Sequence, residues 1–103
     1  MTKVEYSPEE HRLRVEGHAG AGAVGQDIVC AAASVLVWTL ACAAEEFQMH
    51  LFVDDGQGIV EITCYPKEEQ EERCRYLFDT IWNGYEMLGE KYPDHIMTGG
   101  YHG

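Results

Sequence analysis

Basic side chains are scarce in this sequence. The chain of 103 residues contains 7 Lys and Arg against 18 Asp and Glu, which gives a formal net charge of −11 at pH 7. Because nucleic-acid affinity comes mainly from Lys and Arg contacts to phosphates, this composition disfavours a direct nucleic-acid partner. The acidic surface favours basic partners, although solubility alone also accounts for it. The length fits one domain, residues 1–103.

Closely spaced cysteines are also lacking. The four cysteines stand at positions 30, 42, 64 and 74, and no CxxC pair exists. This spacing disfavours a zinc or dithiol motif. Cys42, Cys64 and Cys74 fall on apolar faces of the elements predicted below, so we expect them to be buried packing residues. The N-terminal residues contain no apolar signal segment, so we expect a cytoplasmic protein with reduced thiols.

A single stretch, residues 28–44, lacks charge for long enough to suggest a membrane span. It is rich in Ala, Cys, Ser and Thr, and acidic residues rather than Lys or Arg flank it. The pattern therefore favours a core helix and no membrane partner. We expect this helix to begin at Asp27 as N-cap, to end near Glu46, and to be buried on most sides.

The remaining elements follow from hydrophobic spacing. Alternation predicts strands around residues 4–6 and 12–17, and β-rich runs predict strands at 49–53 and 59–64 joined by a hairpin loop. A second helix is expected to start at Pro66, followed by a strand at 95–98 and a frayed tail. The resulting order is ββαββαβ. It predicts an α+β domain with two helices packed on one face of a mostly antiparallel sheet.

Two residues suited to nucleophilic catalysis flank a glycine-rich segment. His18 closes the second predicted strand, and Cys30 lies three residues after Asp27 in the next helix. The positive helix end and its unpaired N–H groups favour thiolate over thiol, and a nearby imidazole can take the thiol proton. A cysteine peptidase uses this pair: the thiolate attacks the scissile carbonyl, and the imidazolium protonates the leaving amine.

The segment between His18 and Cys30 is expected to form a mobile loop. Three of its glycines, at Gly20, Gly22 and Gly25, offer N–H groups that no Cβ obstructs. Such groups suit an oxyanion hole or a grip on a substrate backbone. Asp27 is interpreted first as the helix cap, and a second role in orienting His18 stays open. Ser34 lies one turn beyond Cys30, where most serines bond to their own helix.

Spacing alone leaves other interpretations open. A strand-end histidine is most often a surface residue, and a first-turn cysteine is most often inert packing. The same pair also fits a non-catalytic dimeric interaction module of the same fold, or a redox-sensing thiol protein. A metal site at His18 and Cys30 with a further Cys or His is a weaker alternative, because the ligands are isolated.

A longer pattern distinguishes among these alternatives. Residues 17–20 read GHAG and residues 25–34 read GQDIVCAAAS. This resembles the signature of the ribosomal-processing cysteine protease family Prp, which has GHA, a glycine-rich stretch and then G-x-D-I-V-C-A-A-x-S. The predicted ββαββαβ order is also similar to that family's fold along nearly the whole chain.

The resemblance implies that His18 is the catalytic histidine and Cys30 the nucleophile, with Asp27 and Ser34 in support. It implies a homodimer that needs no metal or organic cofactor. The implied substrate is the short N-terminal extension of the large-subunit ribosomal protein L twenty-seven, cut after a hydrophobic segment that ends in aromatic residues.

One position departs from the family pattern. Ala21 stands where an aromatic residue is common, which leaves open how this loop grips a substrate. Trp38 and Tyr65 are candidates for the wall of a specificity pocket, although core packing is the simpler interpretation of each.

Overall fold

A computed structural model describes residues 1–17 and 26–101. The described residues form five strands and two long helices, in the order ββαββαβ, which confirms the predicted α+β class. Their bounds are β1 (Thr2–Ser7), β2 (Arg12–Glu16), α1 (Gln26–Ala44), β3 (Met49–Asp54), β4 (Ile59–Cys64), α2 (Glu71–Lys91) and β5 (Ile96–Tyr101). Short 3₁₀ turns at Glu45–Phe47 and Glu68–Gln70 precede β3 and α2.

The strands form one sheet in the order β3-β4-β2-β1-β5. All neighbours are antiparallel except β1 and β5, which run parallel. The β1–β2 hairpin turns at His11, whose φ of 51° lies in the left-handed region. Leu13 and Val15 are buried, whereas Arg14 and Glu16 on the opposite face of β2 are partly exposed. This alternation leaves one face of the sheet for the helices.

The core lies between this face of the sheet and the two helices. The apolar stripe of α2 is buried, as its spacing predicts: Cys74, Phe78, Ile81, Trp82 and Tyr85. The ring of Tyr6 packs against Phe78, with ring centroids 6.1 Å apart. Tyr85 joins the helices, because its hydroxyl donates a 2.8 Å hydrogen bond to the carbonyl of Ala33 in α1. Burial raises the pKa of Tyr85.

The prediction that α1 is buried on most sides is wrong. Its inner side joins the core through Val29, Ala33, Val37, Leu40, Ala41 and Ala44. Its outer side carries Ile28 and Val35, which are 56% and 65% exposed. The sheet and α2 cover one side of α1 and leave the other uncovered. By length and composition alone the segment Ile28–Phe47 could cross a membrane, a test that packed core helices also pass.

Two other element ends differ from the prediction. The second helix begins at Glu71 rather than at Pro66, because the chain first makes a 3₁₀ turn. The Gln70 side chain stabilises that turn by accepting a 3.0 Å hydrogen bond from the Lys67 N–H. The last strand continues through Tyr101, where a frayed tail was expected, because β5 pairs with β1 as far as Tyr6.

All four cysteines are thiols, in three different environments. Cys64 and Cys74 are buried, as predicted, but Cys42 is exposed because it lies on the uncovered side of α1. Burial raises the pKa of Cys64 to about 11. Burial and the neighbouring Cys64 raise the pKa of Cys74 to about 12. Both thiols therefore stay protonated in the folded protein at neutral pH.

These buried thiols predict a loss of stability at alkaline pH. In the unfolded chain their pKa is 9.0. Their contribution is therefore complete below pH 9 and disappears as the pH rises through their folded pKa values. We expect the free energy of unfolding, measured with urea, to fall by about 3 kcal/mol between pH 8 and pH 10. Cys42→Ala should keep this fall and Cys64→Ala/Cys74→Ala should reduce it. An equal fall in both variants would contradict the assignment.

Candidate active site

Cys30 lies near the start of α1. The structure describes α1 from Gln26 onward, one residue before the start predicted at Asp27, so Asp27 lies in the first described turn. Cys30 is accordingly the fifth helical residue. Helical side chains lean towards the N-terminus, so its thiol is directed to the first turn, where backbone N–H groups lack helical partners. The structure describes the backbone of Asp27 but not its side chain.

A cleft of about 210 Å³ opens beside Cys30, at the end of the sheet where β2 and β3 finish and β4 begins. Cys30 itself is half-buried. The cleft has an apolar floor and a polar rim. Its lining residues are Thr2, Val15, Gly17, Cys30, Ala33, Ser34, Val37, Trp38, Asp54, Asp55, Gly58, Ile59 and Val60.

One side of α1 forms a wall of this cleft. Cys30, Ser34 and Trp38 follow one another at intervals of four residues and therefore lie on one side of the helix. The side chain of Ser34 is exposed, and Trp38 is 43% exposed about 12 Å along the helix from Cys30. Trp38 is thus a wall residue rather than core packing, which makes the helix wall partly aromatic.

Tyr65 does not reach this cleft. It follows β4, is 61% exposed, and places its ring edge-on to His50 with centroids 5.0 Å apart. The interpretation of Tyr65 as core packing is therefore wrong, and Tyr65 does not line the cleft that contains Cys30.

Gly17 fixes where the chain leaves β2. Its N–H donates a 3.0 Å hydrogen bond to the carbonyl of Gly58. A Cβ at this position would lie 2.9 Å from Cα of Thr2, so the close approach of the two backbones requires glycine. Gly17 lines the same cleft as Cys30, and His18 is the next residue in the chain. His18 and the loop glycines Gly20, Gly22 and Gly25 lie outside the described residues.

We expect Gly17→Val to impair cleavage. The new side chain must push the end of β2 away from Thr2 and so displace the residue that follows it. A displacement of about 1 Å at a catalytic group can cost about a hundredfold in rate, so kcat/KM on a peptide substrate should fall at least tenfold. Gly99→Val is the matched control, because a Cβ at Gly99 meets no atom within 4 Å. Similar losses in both variants would remove the special role of Gly17.

Two carboxylates at the rim were not identified from the sequence. Asp54 ends β3 and Asp55 follows it, and both line the cleft. Oδ1 of Asp54 accepts a 3.2 Å hydrogen bond from the Gln57 N–H, which shapes the hairpin turn. The six residues of β3 span about 20 Å, which equals about thirteen residues of α1. Since β3 runs back along α1, Asp54 returns to the level of Cys30.

The ionisable pair formed by His11 and Glu71 is remote from this cleft. His11 is nearly buried, and its Nε2 lies 2.9 Å from Oε1 of Glu71. The pair holds the β1–β2 turn against the start of α2, and neither residue lines the cleft. Within residues 1–17 and 26–101, no three His, Cys, Asp or Glu side chains are close enough together to hold a metal ion. His18 lies outside that range.

Comparison with solved structures supports the same fold. The ribosomal processing protease Prp from S. aureus in complex with a substrate peptide superposes with a TM-score of 0.82 at 21% identity, over 99% of this chain and all of that one. The same protease with a covalently linked product peptide gives a TM-score of 0.78 at 22% identity, with the same coverage. SMU.848 from Streptococcus mutans gives 0.73 at 26% identity, over 94% of this chain and 89% of that one.

Comparison at the level of sequence identifies the family. No curated protein matches the chain significantly. The family model described as cysteine protease Prp, however, matches residues 1–97. This match spans the first six elements and the first two residues of β5, and it includes the cleft. The chain therefore belongs to the Prp family of cysteine proteases.

Proposed function

We propose that this protease is an endopeptidase with Cys30 as nucleophile and His18 as general base and then general acid. The observation that carries the proposal is the shared cleft: Cys30 lies on one wall, and Gly17, the residue before His18, lies on another. Consecutive Cα atoms are about 3.8 Å apart, so the backbone of His18 continues from this wall, and we propose that its imidazole faces Cys30. Asp27 and Ser34 are proposed as supporting residues, from the first turn of α1 and from the cleft wall.

The proposed reaction has two steps. His18 takes the thiol proton of Cys30, and the sulfur attacks the scissile carbonyl carbon to form a tetrahedral intermediate. The C–N bond then breaks, His18 returns the proton to the leaving amine, and a thioester remains on Cys30. In the second step His18 activates a water molecule, which hydrolyses the thioester and releases the carboxylate product with regeneration of the thiol.

Backbone N–H groups are proposed to stabilise the oxyanion that forms in both steps. The N–H groups of the first turn of α1 have no helical partners. Those of Gly20, Gly22 and Gly25 are the proposed loop donors, since glycine lets a substrate approach the backbone closely. Together these donors would face the carbonyl that Cys30 attacks.

The proposed substrate is the N-terminal extension of ribosomal protein L twenty-seven, cut after a hydrophobic segment ending in aromatic residues. The cleft supports an apolar residue near the scissile bond, because Trp38 and the valines of its floor line it. Asp54 and Asp55 at the rim and the net charge of −11 suit a basic ribosomal protein. The S. aureus relative has been solved with a substrate peptide.

The test is to incubate the protein with the precursor and the mature form of this ribosomal protein and to measure the product masses. We expect a single cut in the precursor and none in the mature form. Equal cutting of the precursor by the wild type and by Cys30→Ala would refute the assignment of Cys30 as the nucleophile. An uncut precursor, with other peptides cleaved, would reject this substrate and leave the catalytic assignment in place.

We also propose a homodimer in the cytoplasm. The uncovered side of α1 carries Ile28, Val35 and Cys42, which are seven residues apart and form one stripe of exposed side chains. A second copy packed on this stripe would bury apolar surface that a single chain leaves in water. Light scattering should give twice the mass of 11.6 kDa, and Val35→Glu should lower it to the monomer value. A monomeric wild type would reject the dimer.

A further inference from the structure

One edge of the sheet is open and apolar. Within residues 1–17 and 26–101, β3 lies at the end of the strand order and pairs with β4 alone. Its consecutive residues Leu51, Phe52 and Val53 are 44%, 54% and 40% exposed. Residues 49–53 contain no charged side chain, Pro or Gly. Natural sheets usually block an open edge with such residues or with a bulge, so β3 has kept the ability to accept another strand.

The opposite edge differs. β5 pairs with β1 through a register shift between Lys3 and Glu5, and it contains Gly99 and Gly100. Irregular pairing and glycines weaken an edge as a template for a further strand. Within the described residues, β3 is therefore the better-suited edge for accepting an extended peptide.

The exposed side chains of β3 divide between the two faces of the sheet. Leu51 and Val53 stand opposite Ile62 and Val60 of β4, which pack in or against the core on the helix side. Leu51 and Val53 consequently point to the same side as α1, whereas Phe52 points to the open face. Trp38, on the side of α1 that borders the cleft, supplies a further exposed apolar surface on this side.

This apolar strip leads directly to the nucleophile. β3 ends at Asp54, and Asp54 lines the cleft that contains Cys30. A strand added along the edge of β3 would therefore reach the cleft at one of its ends. A second copy of the chain is proposed to pack elsewhere, on the stripe of Ile28, Val35 and Cys42 on the outer side of α1. This continuity favours the substrate over a second copy as the occupant of the edge.

We propose that β3 is the docking strand for the substrate of this protease. The extended apolar segment on the N-terminal side of the scissile bond adds to its edge as a sixth strand. Backbone hydrogen bonds to β3 hold this segment in register, and alternate side chains rest on Leu51 and Val53 beside Trp38. The proposal rests on the proposed function, because it assumes that Cys30 attacks a peptide bound in the adjoining cleft.

The first experiment tests the strand pairing on the wild-type protein. A series of apolar peptides is made in which one backbone nitrogen at a time is methylated along six residues before the scissile bond. Each lost hydrogen bond should lower kcat/KM about five- to tenfold, and the losses should alternate, since only every second N–H of an added strand faces its neighbour. Losses without alternation, or no losses, would overturn the proposal.

The second experiment tests which face of β3 contacts the side chains of the substrate. Leu51→Lys and Val53→Lys should lower kcat/KM on the apolar peptide about tenfold, and the control Phe52→Lys should change it less than threefold. All three residues are exposed, and thermal unfolding checks that each variant folds. Equal effects of the three variants would overturn the proposal. So would dissociation of a dimer by Leu51→Lys with unchanged peptide kinetics.

A short substrate separates this proposal from the proposed function. The p-nitrophenyl ester of N-acetylphenylalanine ends at the residue before the scissile bond and cannot pair along β3. Leu51→Lys and Val53→Lys should therefore lose much less activity on this ester than on the peptides. If the wild type leaves both the ester and the peptides intact, the catalytic role of Cys30 has failed. If only the predicted differences between variants are missing, the docking strand has failed.

Discussion

Cys30→Ala is expected to lower kcat for peptide cleavage by at least about four orders of magnitude, because Cys30 is the only thiol among the described residues that line the cleft. Ser34 lies one turn away, but a serine hydroxyl needs its own aligned base. The fold should be unaffected, since Cys30 is half-buried and outside the core cluster. Kinetics with the apolar peptide and thermal unfolding of both proteins measure the two effects.

Selective alkylation supplies the control for this result. Cys42 is exposed on the same helix and represents an ordinary surface thiol, so it sets the rate that a thiol without catalytic neighbours should show. Cys64 and Cys74 are buried, with pKa values of about 11 and 12, and should react only after unfolding. Iodoacetamide near pH 7 should therefore label Cys30 first. Labelling of Cys42 at the same rate would favour the non-catalytic interaction module.

The order of elements could be predicted from the sequence because each element has its own hydrophobic period. The stripe of α2 repeats at three and four residues, and Leu13 and Val15 alternate with charged residues. The ends were less predictable. Proline is a common first residue of a helix, which favoured a start at Pro66. The hydrogen bond from the Lys67 N–H to the Gln70 side chain stabilises a 3₁₀ turn there instead. The strand character of Gly99–Tyr101 depends on pairing with β1, which no local pattern reveals.

The site was predictable only where its residues are close in the sequence. Cys30 and Ser34 share one helix, so spacing alone places them on one side. Asp54 and Asp55 reach the cleft because β3 runs back along α1 for the length of thirteen helical residues, and that length becomes apparent only in three dimensions. The exposure of Val35 and Cys42 could not be predicted either. A helix that is apolar nearly all round does not show in its sequence which side the rest of the chain will leave uncovered.

His18→Ala is expected to slow peptide cleavage by about a hundredfold to ten-thousandfold, the usual contribution of a general acid and base. It should also slow the alkylation of Cys30, because the imidazole is proposed to take the thiol proton. The two effects together are diagnostic. A histidine that only supports the fold would lower stability without changing the rate at which Cys30 reacts in the folded protein. His11→Ala is the control, since His11 pairs with Glu71 away from the cleft.

The departure of the amine in the first step of the reaction gives this prediction a further test. His18 must return a proton to the leaving amine, and a p-nitrophenolate leaving group needs no such proton. His18→Ala should therefore lose more activity on the apolar peptide than on the phenylalanine ester. Equal losses on both would limit His18 to the activation of Cys30. Unchanged cleavage of the peptide, with His11→Ala as active as the wild type, would remove His18 from the mechanism and leave Cys30 to be activated from α1 alone.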